Sequence, residues 1–452
     1  MITRNRSCAR GDTVDAATLR GVLDEHAAHA ERLKKLKRYY LGETDIVKRR
    51  RAPGLPNNRI SHAFARYIVT VSVGYLVGES VGYKTDTDQK AALDEVLAAY
   101  RECDAAAVDT ENARNAAIYG RGIEFICVPE RGGLPGAYAL SPENAFVVYT
   151  DDICHEPLFG VYMGRSAGEG GAEGGMQIIC ATESRILEYS LRDGEIRLTG
   201  SRPHFFDGVP MVEYWNDENE KGDFEWIIPL IDAYDALQSD RLNDKDQFAD
   251  KLLVLTGCTL ETDEEGRPPW LQLRMDKALC LPDGDAKASY LTGEMNESGN
   301  EILRKSLCED IHKLSLVPDL SDTNFAGNMS GVAMKYKLMG LEQLAGMKQQ
   351  WFTEGLRRRL RLFAGFMRLR GTPKLDAARV SVTYTRALPE NLSEAASAVK
   401  TAREAGAMST RTMVELLHGN GDWNEEMTER EVERIYAEGS GRTGEKRNAE
   451  GR

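Results

Sequence analysis

A helical pattern that runs from Gly331 to about Leu369 without a proline constrains the fold of this chain more than any other feature. Its apolar residues recur at the 3.6-residue period of one helix face, at Met334, Leu338, Leu341, Ala345, Phe352, Leu356, Leu360 and Phe363. At about 1.5 Å per residue this helix would approach roughly 60 Å, which is longer than a compact domain usually needs. The pattern therefore predicts a protein whose long helix completes its packing against other copies of the chain.

The composition is that of a folded protein. Of 452 residues, 42% are hydrophobic and 29% are charged, which excludes a mostly disordered or collagen-like chain. The 71 acidic residues outnumber the 58 basic ones and give a formal net charge of -13. A protein that grips nucleic acid through a strongly basic surface is therefore disfavoured. The longest uncharged, mostly apolar stretch, Tyr67 to Gly78, is too short for a membrane helix.

Periodicity along the chain predicts an α+β fold that is predominantly helical. Helices are predicted over residues 12–40, 60–75, 88–114, 227–255, 301–316, 331–369, 394–405 and 411–418, with a last one from 428. The helix over 60–75 is expected to be capped by Asn57 or Asn58. Strands are predicted from about 122 to 214 and over 379–385. Six glycines between 164 and 175 predict a hairpin tip.

No catalytic, metal or cofactor site is predicted. The run from Gly439 to Gly444 matches GxGxxG, but it lies in a polar tail, 439–452, that is predicted to be disordered. A dinucleotide site of that kind needs a strand before the glycines and a helix after them. The sequence also contains no Walker A loop and no HExxH pair. These observations argue against an enzyme.

One dense positive segment stands out in this acidic chain. Between residues 348 and 370, seven basic residues are opposed only by Glu354. The cluster of interest comprises Arg357, Arg358, Arg359 and Arg361. Adjacent arginines point in different directions around a helix, so some must face a partner. Contact with phosphate is one interpretation. Pairing between subunits is favoured, because residues 390–438 carry eleven acids against five bases.

Ordered motifs span about residues 30 to 435. The longest runs from Asn57 to Gly78 and reads NNRISHAFARYIVTVSVGYLVG. The others are Tyr39–Gly42, Pro210–Asn216, Pro229–Tyr234 with Ser239–Asp240 and Asn243–Asp244, Ser330–Gln343, Leu388–Asn391 and Ser409–Thr412. Each motif alone is moderately specific, but the ordered set is strong. Together they resemble the portal proteins of tailed bacteriophages, the head-to-tail connectors of the siphovirus portal family.

The resemblance implies a portal architecture with a wing, a stem, a clip and a crown, assembled as a ring around a central channel. The implied segments are a wing over 1–225, a stem helix over 226–257, a clip over 258–295, a second stem helix over 296–318, a tunnel loop and long helix over 319–370, a wing strand over 371–388 and crown helices over 389–438.

The implied function is that of a viral portal protein at one capsid vertex, through which DNA is packaged and ejected. The ring would be a homo-oligomer, commonly a dodecamer, and double-stranded DNA would pass through it without sequence-specific binding. The other implied partners are the terminase large subunit, the head-completion (adaptor) protein, and the major capsid and scaffolding proteins, with no membrane and no cofactor. The protein would assemble in the cytoplasm of the host bacterium and reside in the virion. The alternative class is an enzyme of the packaging machinery, an ATPase or nuclease subunit.

The same resemblance implies that the loop between Pro318 and Ser330 is the tunnel loop. Its implied DNA-facing residues are Asp322, Asn324, Phe325, Gly327 and Asn328. Polar amides and one aromatic could touch the DNA backbone with little net charge. This suits a channel, because each phosphate neutralised by a lysine or arginine adds affinity and would oppose sliding. A plain connector is the alternative interpretation of this loop.

Overall fold

The computed structural model describes residues 1–53, 55–129, 133–165, 175–249, 252–256, 287–291, 297–321, 331–386, 392–418 and 427–437. The chain divides into two compact units. The first comprises Met1–Lys37, Tyr67–Glu225 and Leu316–Arg452, and the second comprises Arg38–Arg66 and Trp226–Ser315. Each unit is thus built from segments that are far apart in sequence.

The fold is mixed α+β, as predicted, with more helix than strand among the described residues. The helices are α1 (Ala16–Ala27), α2 (Ala30–Tyr40), α3 (Phe64–Val77), α4 (Lys90–Glu102), α5 (Ala105–Tyr119), α6 (Ile228–Ala249), α7 (Glu297–Ser315), α8 (Gly331–Lys337), α9 (Met339–Leu369), α10 (Leu392–Glu404) and α11 (Thr410–His418). Residues 427–437 are also helical. Within the described ranges, no helix is both long enough and apolar enough to cross a membrane.

The strands are β1 (Ile2–Arg4), β2 (Gly82–Lys84), β3 (Arg121–Cys127), β4 (Gly136–Leu140), β5 (Ala145–Thr150), β6 (Pro157–Arg165), β7 (Met176–Ala181), β8 (Arg185–Arg192), β9 (Glu195–Pro203), β10 (Met211–Trp215), β11 (Leu252–Thr256), β12 (Lys287–Leu291) and β13 (Ser381–Thr383). A six-stranded sheet has the order β1-β5-β6-β7-β8-β9, in which β1 is parallel to β5 and the other neighbours are antiparallel. A three-stranded antiparallel sheet has the order β10-β3-β4, and β2 pairs with β13.

Strand β5 lies between β1 and β6 in the six-stranded sheet and is buried along its whole length. Phe146 and Val148 pack on one face, in a core that includes Leu19 and Val22 of α1. Ala145, Val147 and Tyr149 pack on the other face, in a core that includes residues of β3 and β10. Successive side chains of a strand point to opposite faces. The uninterrupted apolar run of β5 therefore reflects packing on both faces of the sheet.

The second unit is organised by the antiparallel pairing of β11 with β12 and by the packing of α6 against α7. Pro229 occupies the first turn of α6, where its missing N–H costs nothing. Arg241 of α6 joins the two helices, because its guanidinium contacts Glu297 at 2.9 Å and Glu301 at 3.3 Å. Ile231 and Tyr234 of α6 are buried.

Several predicted helices are wrong in extent. The helix over 88–114 is two helices, because Asp104 adopts a left-handed conformation with φ of 52°. The helix over 227–255 ends at Ala249, and the apolar residues after it form β11. The helix over 331–369 is interrupted at Leu338. Its longer part, α9, has 31 residues and a length of about 46 Å.

The predicted cap of the apolar helix is also wrong. The helix α3 begins at Phe64, and residues 57–63 before it are not helical. Other predictions lie outside the described residues. These are the disordered tail, the glycine-rich tip between 166 and 174, and the clip apart from Lys287–Leu291.

Candidate functional site

The extended segment that precedes α3 is held in the second unit by one face of α6. The backbone N–H groups of Asn58, Ile60 and His62 donate hydrogen bonds to side-chain oxygens of α6, at 2.7, 2.9 and 3.0 Å. The acceptors, in the same order, are Asn243 Oδ1, Ser239 Oγ and Asp235 Oδ1, and all three residues are fully buried. Alternate residues of an extended segment and every fourth residue of a helix advance by about 6–7 Å, so the two spacings match.

This ladder joins two motifs that are distant in sequence. The segment from Asn57 belongs to one motif, and Ser239 and Asn243 belong to another, the one that begins at Pro229. Asp235 is the most constrained member, because its carboxylate also accepts a hydrogen bond from the Thr44 hydroxyl at 2.5 Å. Sequence reasoning missed the ladder. The polar middle of α6 was its signal, since polar residues spaced by four on a buried helix need partners.

The proposed tunnel-loop residues, Asp322, Asn324, Phe325, Gly327 and Asn328, lie outside the described residues. The chain that leads into this loop is attached to α3 in the first unit. The Tyr67 hydroxyl donates to the Pro318 carbonyl at 2.7 Å and accepts from the Leu320 N–H at 2.9 Å. Burial raises the pKa of Tyr67 above its ordinary value. The hydroxyl therefore keeps its proton and can make both bonds.

The chain that follows the loop is attached to the same helix. Glu342, in the first turn of α9, accepts a hydrogen bond from the Tyr75 hydroxyl at 2.6 Å. Arg386 pairs with Glu342 at 3.3 Å and lies over the Tyr75 ring at 5.5 Å from its centroid. Tyr67 and Tyr75 are eight residues apart, which is about 12 Å along α3. The long motif thus supplies anchors for both sides of the loop.

Lys348 of α9 takes part in a buried ion pair. Its Nζ contacts Asp223 Oδ2 at 2.6 Å, and the two side chains are almost completely excluded from solvent. Asp223 also accepts from the Ser72 hydroxyl of α3 at 2.5 Å and from the Asn216 amide at 2.8 Å. The Asp223 carboxylate therefore contacts three segments of the chain: α9, α3 and the end of the motif at Asn216.

The arginine cluster divides into three environments. Arg359 is fully buried, and its guanidinium pairs with Asp109 at 2.5 Å and with Glu124 at 3.1 Å in its own chain. The prediction that Arg359 pairs between subunits is therefore wrong, because the residue faces inward from α9. Arg357 is exposed. Arg358 and Arg361 line a cavity. Inter-subunit pairing remains a prediction for these three residues.

The two carboxylates that pair with Arg359 belong to a buried cluster of polar side chains. Glu124 Oε2 also accepts from the Asn112 amide at 2.8 Å and from the Tyr214 hydroxyl at 3.0 Å. Burial raises the pKa of both Asp109 and Glu124, although the Arg359 cation opposes the shift. One signal for this cluster was present in the sequence, since Glu124 interrupts an otherwise apolar strand, GIEFIC. The sequence does not show that Glu124 pairs with Arg359, which lies 235 residues further along the chain.

These contacts position helices and the two flanks of a loop within the chain. A family model described as phage portal protein, SPP1 Gp6-like, matches residues 20–442. The chain therefore belongs to this family of phage portal proteins. The resemblance drawn from the ordered motifs is confirmed.

Two relatives support the same assignment. The chain is 27% identical over 431 residues to the portal protein of Bacillus phage SPP1, covering 88% of this chain and 82% of that protein. It is 22% identical over 449 residues to the portal protein of Clostridium phage phiCD119, covering 93% of this chain and 95% of that protein. The function of the chain is that of a phage portal protein, a structural component associated with the capsid vertex of the virion.

Proposed function

We propose that copies of this chain assemble into a closed ring, commonly a dodecamer, around a channel through which double-stranded DNA is packaged and later ejected. The observation that carries this proposal is the match to the portal family along residues 20–442. Membership in the family implies an oligomeric ring with capsid and packaging partners in general terms. The chain's acidic character suits such a channel, because a net charge of -13 limits counterion-releasing contacts with phosphate.

The proposed architecture follows the family. The wing comprises residues 1–225 with the strand segment 371–388, the stem helices are 226–257 and 296–318, the clip is 258–295 and the crown is 389–438. Two observations support the stem and the crown. Helices α6 and α7 pack together within the second unit, and residues 392–418 and 427–437 are largely helical. Terminase, the head-completion protein, and the capsid and scaffolding proteins would dock on the assembled ring.

The segment between Pro318 and Ser330 is proposed as the tunnel loop. The anchoring of its two flanks to α3 by Tyr67 and Tyr75 supports a defined position for the ends of this loop. Deleting Asn324 to Asn328 should leave ring assembly intact and reduce the amount or the retention of packaged DNA. Packaging of full-length genomes at wild-type yield by this variant would show that the loop is only a connector.

Native mass spectrometry of the purified chain tests the ring directly. The expected result is a single closed oligomer over a range of salt concentrations, and only monomers or dimers under all conditions would contradict the proposal. We also expect no ATP hydrolysis and no DNA cleavage by the isolated protein. A turnover that survives purification and disappears when a single acidic residue is substituted would instead support the enzyme class.

A further inference from the structure

A short segment of the second unit carries a strong excess of positive charge. This basic segment, residues 47–53 and 55–59, contains five cations and no acid. The cations are Lys48, Arg49, Arg50, Arg51 and Arg59. Arg49 and Arg51 share a single carboxylate oxygen, Asp240 Oδ1, which Arg49 contacts at 2.6 Å. With one carboxylate against five cations, the positive charge of the segment is largely uncompensated.

The other cations of the basic segment face solvent. Lys48, Arg50 and Arg59 are exposed, and none of them forms an ion pair with the residues that the structure describes. Arg59 donates a hydrogen bond to the Val47 carbonyl at 2.8 Å. Arg49 Nη1 is buried and has no hydrogen-bond partner within the same described ranges. Guanidinium groups pair well with carboxylates and phosphates, so this segment fits an anionic partner.

A cavity of the first unit has the opposite charge. It has a volume of about 850 Å³ and lies between α9 and the sheets. Seven carboxylates and three arginines line it, so the lining is net acidic. The arginines have carboxylates close by, since Arg6 pairs with Glu156 and the charge of Glu354 acts on Arg358.

Four carboxylates of this lining have no counter-ion among the described residues. They form the acidic wall of the cavity and belong to Asp12, Glu183, Asp207 and Glu218. Glu183, Asp207 and Glu218 are exposed, so cations of another molecule can reach them. The acidic wall and the basic segment therefore carry opposite charges that the described part of the chain does not compensate.

Exposed apolar side chains accompany both surfaces. Val47 and Leu55 of the basic segment are 41% and 50% exposed. Ile153 and Phe205, each within two residues of the cavity lining, are 95% and 64% exposed. Protein–protein interfaces combine an apolar centre with charged groups, whereas a surface that follows a phosphate backbone needs cations alone. The basic segment is therefore better suited to a protein partner than to DNA.

We propose that the basic segment of one copy of this chain pairs with the acidic wall of a second copy. The proposal rests on the ring proposed above, and it names two surfaces through which neighbouring copies are joined. Contacts around a ring are heterologous, so each copy must present two different and complementary surfaces, one for each neighbour. A cationic surface and an acidic surface on the same chain meet that requirement.

The test reverses the charge of each surface separately. One variant carries Lys48→Glu and Arg50→Glu in the basic segment, and the other carries Glu183→Lys and Asp207→Lys in the acidic wall. All four side chains are exposed, so both variants should fold as the wild type does, which thermal unfolding of the unassembled chain checks. Each variant alone places like charges opposite each other. Native mass spectrometry should show that it raises the concentration for half-assembly by roughly tenfold or more.

The decisive sample is an equimolar mixture of the two variants. In a ring with an even number of copies the variants can alternate, so that every contact again joins opposite charges. The mixture should therefore assemble at close to the wild-type concentration, into rings that contain both chains in equal numbers. The two chains differ in mass, so the same measurement gives the composition of each ring.

The controls reverse two charges at exposed positions outside both surfaces. Lys90→Glu with Lys374→Glu is the control for the basic segment, and Asp94→Lys with Glu102→Lys is the control for the acidic wall. Each control should change the concentration for half-assembly by less than about twofold.

Milder substitutions replace any charge-reversed variant that fails to fold. Arg50→Gln and Asp207→Asn remove one charge each, and each should raise the concentration for half-assembly by about threefold or more. Unchanged assembly of these variants would contradict the pairing.

The remaining outcomes distinguish this inference from the ring itself. Unchanged assembly of both charge-reversed variants would overturn the pairing and leave the ring standing. A mixture that does not recover would also overturn it, and recovery only in a single chain with all four changes would place the pairing inside one chain. Normal assembly of the Lys48→Glu, Arg50→Glu variant, with weaker and less salt-dependent binding of a labelled DNA duplex, would assign the basic segment to phosphate and refute the proposal. A wild-type chain that stays monomeric under all conditions would overturn both the pairing and the ring.

Discussion

The buried cluster around Arg359 allows a quantitative test of how α9 is held in the first unit. Arg359 is surrounded by two carboxylates, those of Asp109 and Glu124, and all three groups are buried. The informative perturbations are Asp109→Asn, Glu124→Gln and their combination. Each single change leaves one carboxylate to balance the arginine, and the double change leaves none.

The magnitudes follow from the geometry. Glu124→Gln preserves the volume of the side chain and an oxygen acceptor for Tyr214, but it removes the ion pair with Arg359 at 3.1 Å, so its cost should be about 1.5–3 kcal/mol at neutral pH. Asp109→Asn weakens the 2.5 Å bond to Arg359, and a hydrogen bond to a charged group contributes about 1.5–3 kcal/mol. The double variant buries an uncompensated cation, so its cost should exceed the sum of the single effects by about 1–3 kcal/mol.

The cluster also predicts a pH dependence with a definite sign. Burial raises the pKa of Glu124 above the 4.5 expected for an unfolded glutamate, so the folded chain holds this proton more tightly. The contribution of this proton to the free energy of unfolding is fully present below pH 4.5, and it is lost as the pH rises through the folded-state pKa. The slope is at most about 1.4 kcal/mol per pH unit for one proton. Glutamine has no titratable carboxyl group, so Glu124→Gln should remove the contribution of Glu124 to this pH dependence.

The assay is chemical denaturation followed by tryptophan fluorescence, at one fixed protein concentration and at intervals between pH 5 and pH 8. Concentration must be constant because assembly adds to apparent stability. Strictly additive single and double effects would contradict the shared counter-ion role of the carboxylates. Parallel stability curves for the wild type and Glu124→Gln across this range would contradict the raised pKa of Glu124.

Three other substitutions test separate contacts. Tyr67→Phe should speed amide hydrogen exchange at Leu320, because the Leu320 N–H donates a hydrogen bond to the Tyr67 hydroxyl. The expected cost is about 0.5–1.5 kcal/mol per lost bond, and hydrogen exchange followed by mass spectrometry measures it. Ser239→Ala should cost about 1–3 kcal/mol in chemical denaturation, since the Ile60 N–H loses its acceptor, whereas Ser306→Ala on the exposed face of α7 should cost less than about 0.5 kcal/mol. Gly355→Ala should lower stability by about 1–3 kcal/mol in the same assay, because its methyl group would overlap an aromatic ring packed against α9.

Much of this protein was predictable from local patterns. The α+β class, the approximate positions of most helices and the order of the portal motifs all follow from residues that are close in sequence. Helix periodicity and turn residues are local properties, so they remain visible in a single chain. The boundaries were less predictable. A left-handed residue at Asp104 and the change from α6 to β11 depend on packing and strand pairing, which a periodic pattern does not encode.

The polar contacts belong to the tertiary structure. Sequence reasoning treated four arginines as one cluster, but adjacent positions on α9 place Arg359 in the interior, Arg358 in a cavity and Arg357 in solvent. The counter-ion of Arg359 on α5, Asp109, is 250 residues away. Successive residues of a helix are rotated by about 100°, and the groups that each direction meets come from distant segments. The order of residues therefore sets which charges this helix carries, and the tertiary fold sets which of them find a counter-ion inside the chain.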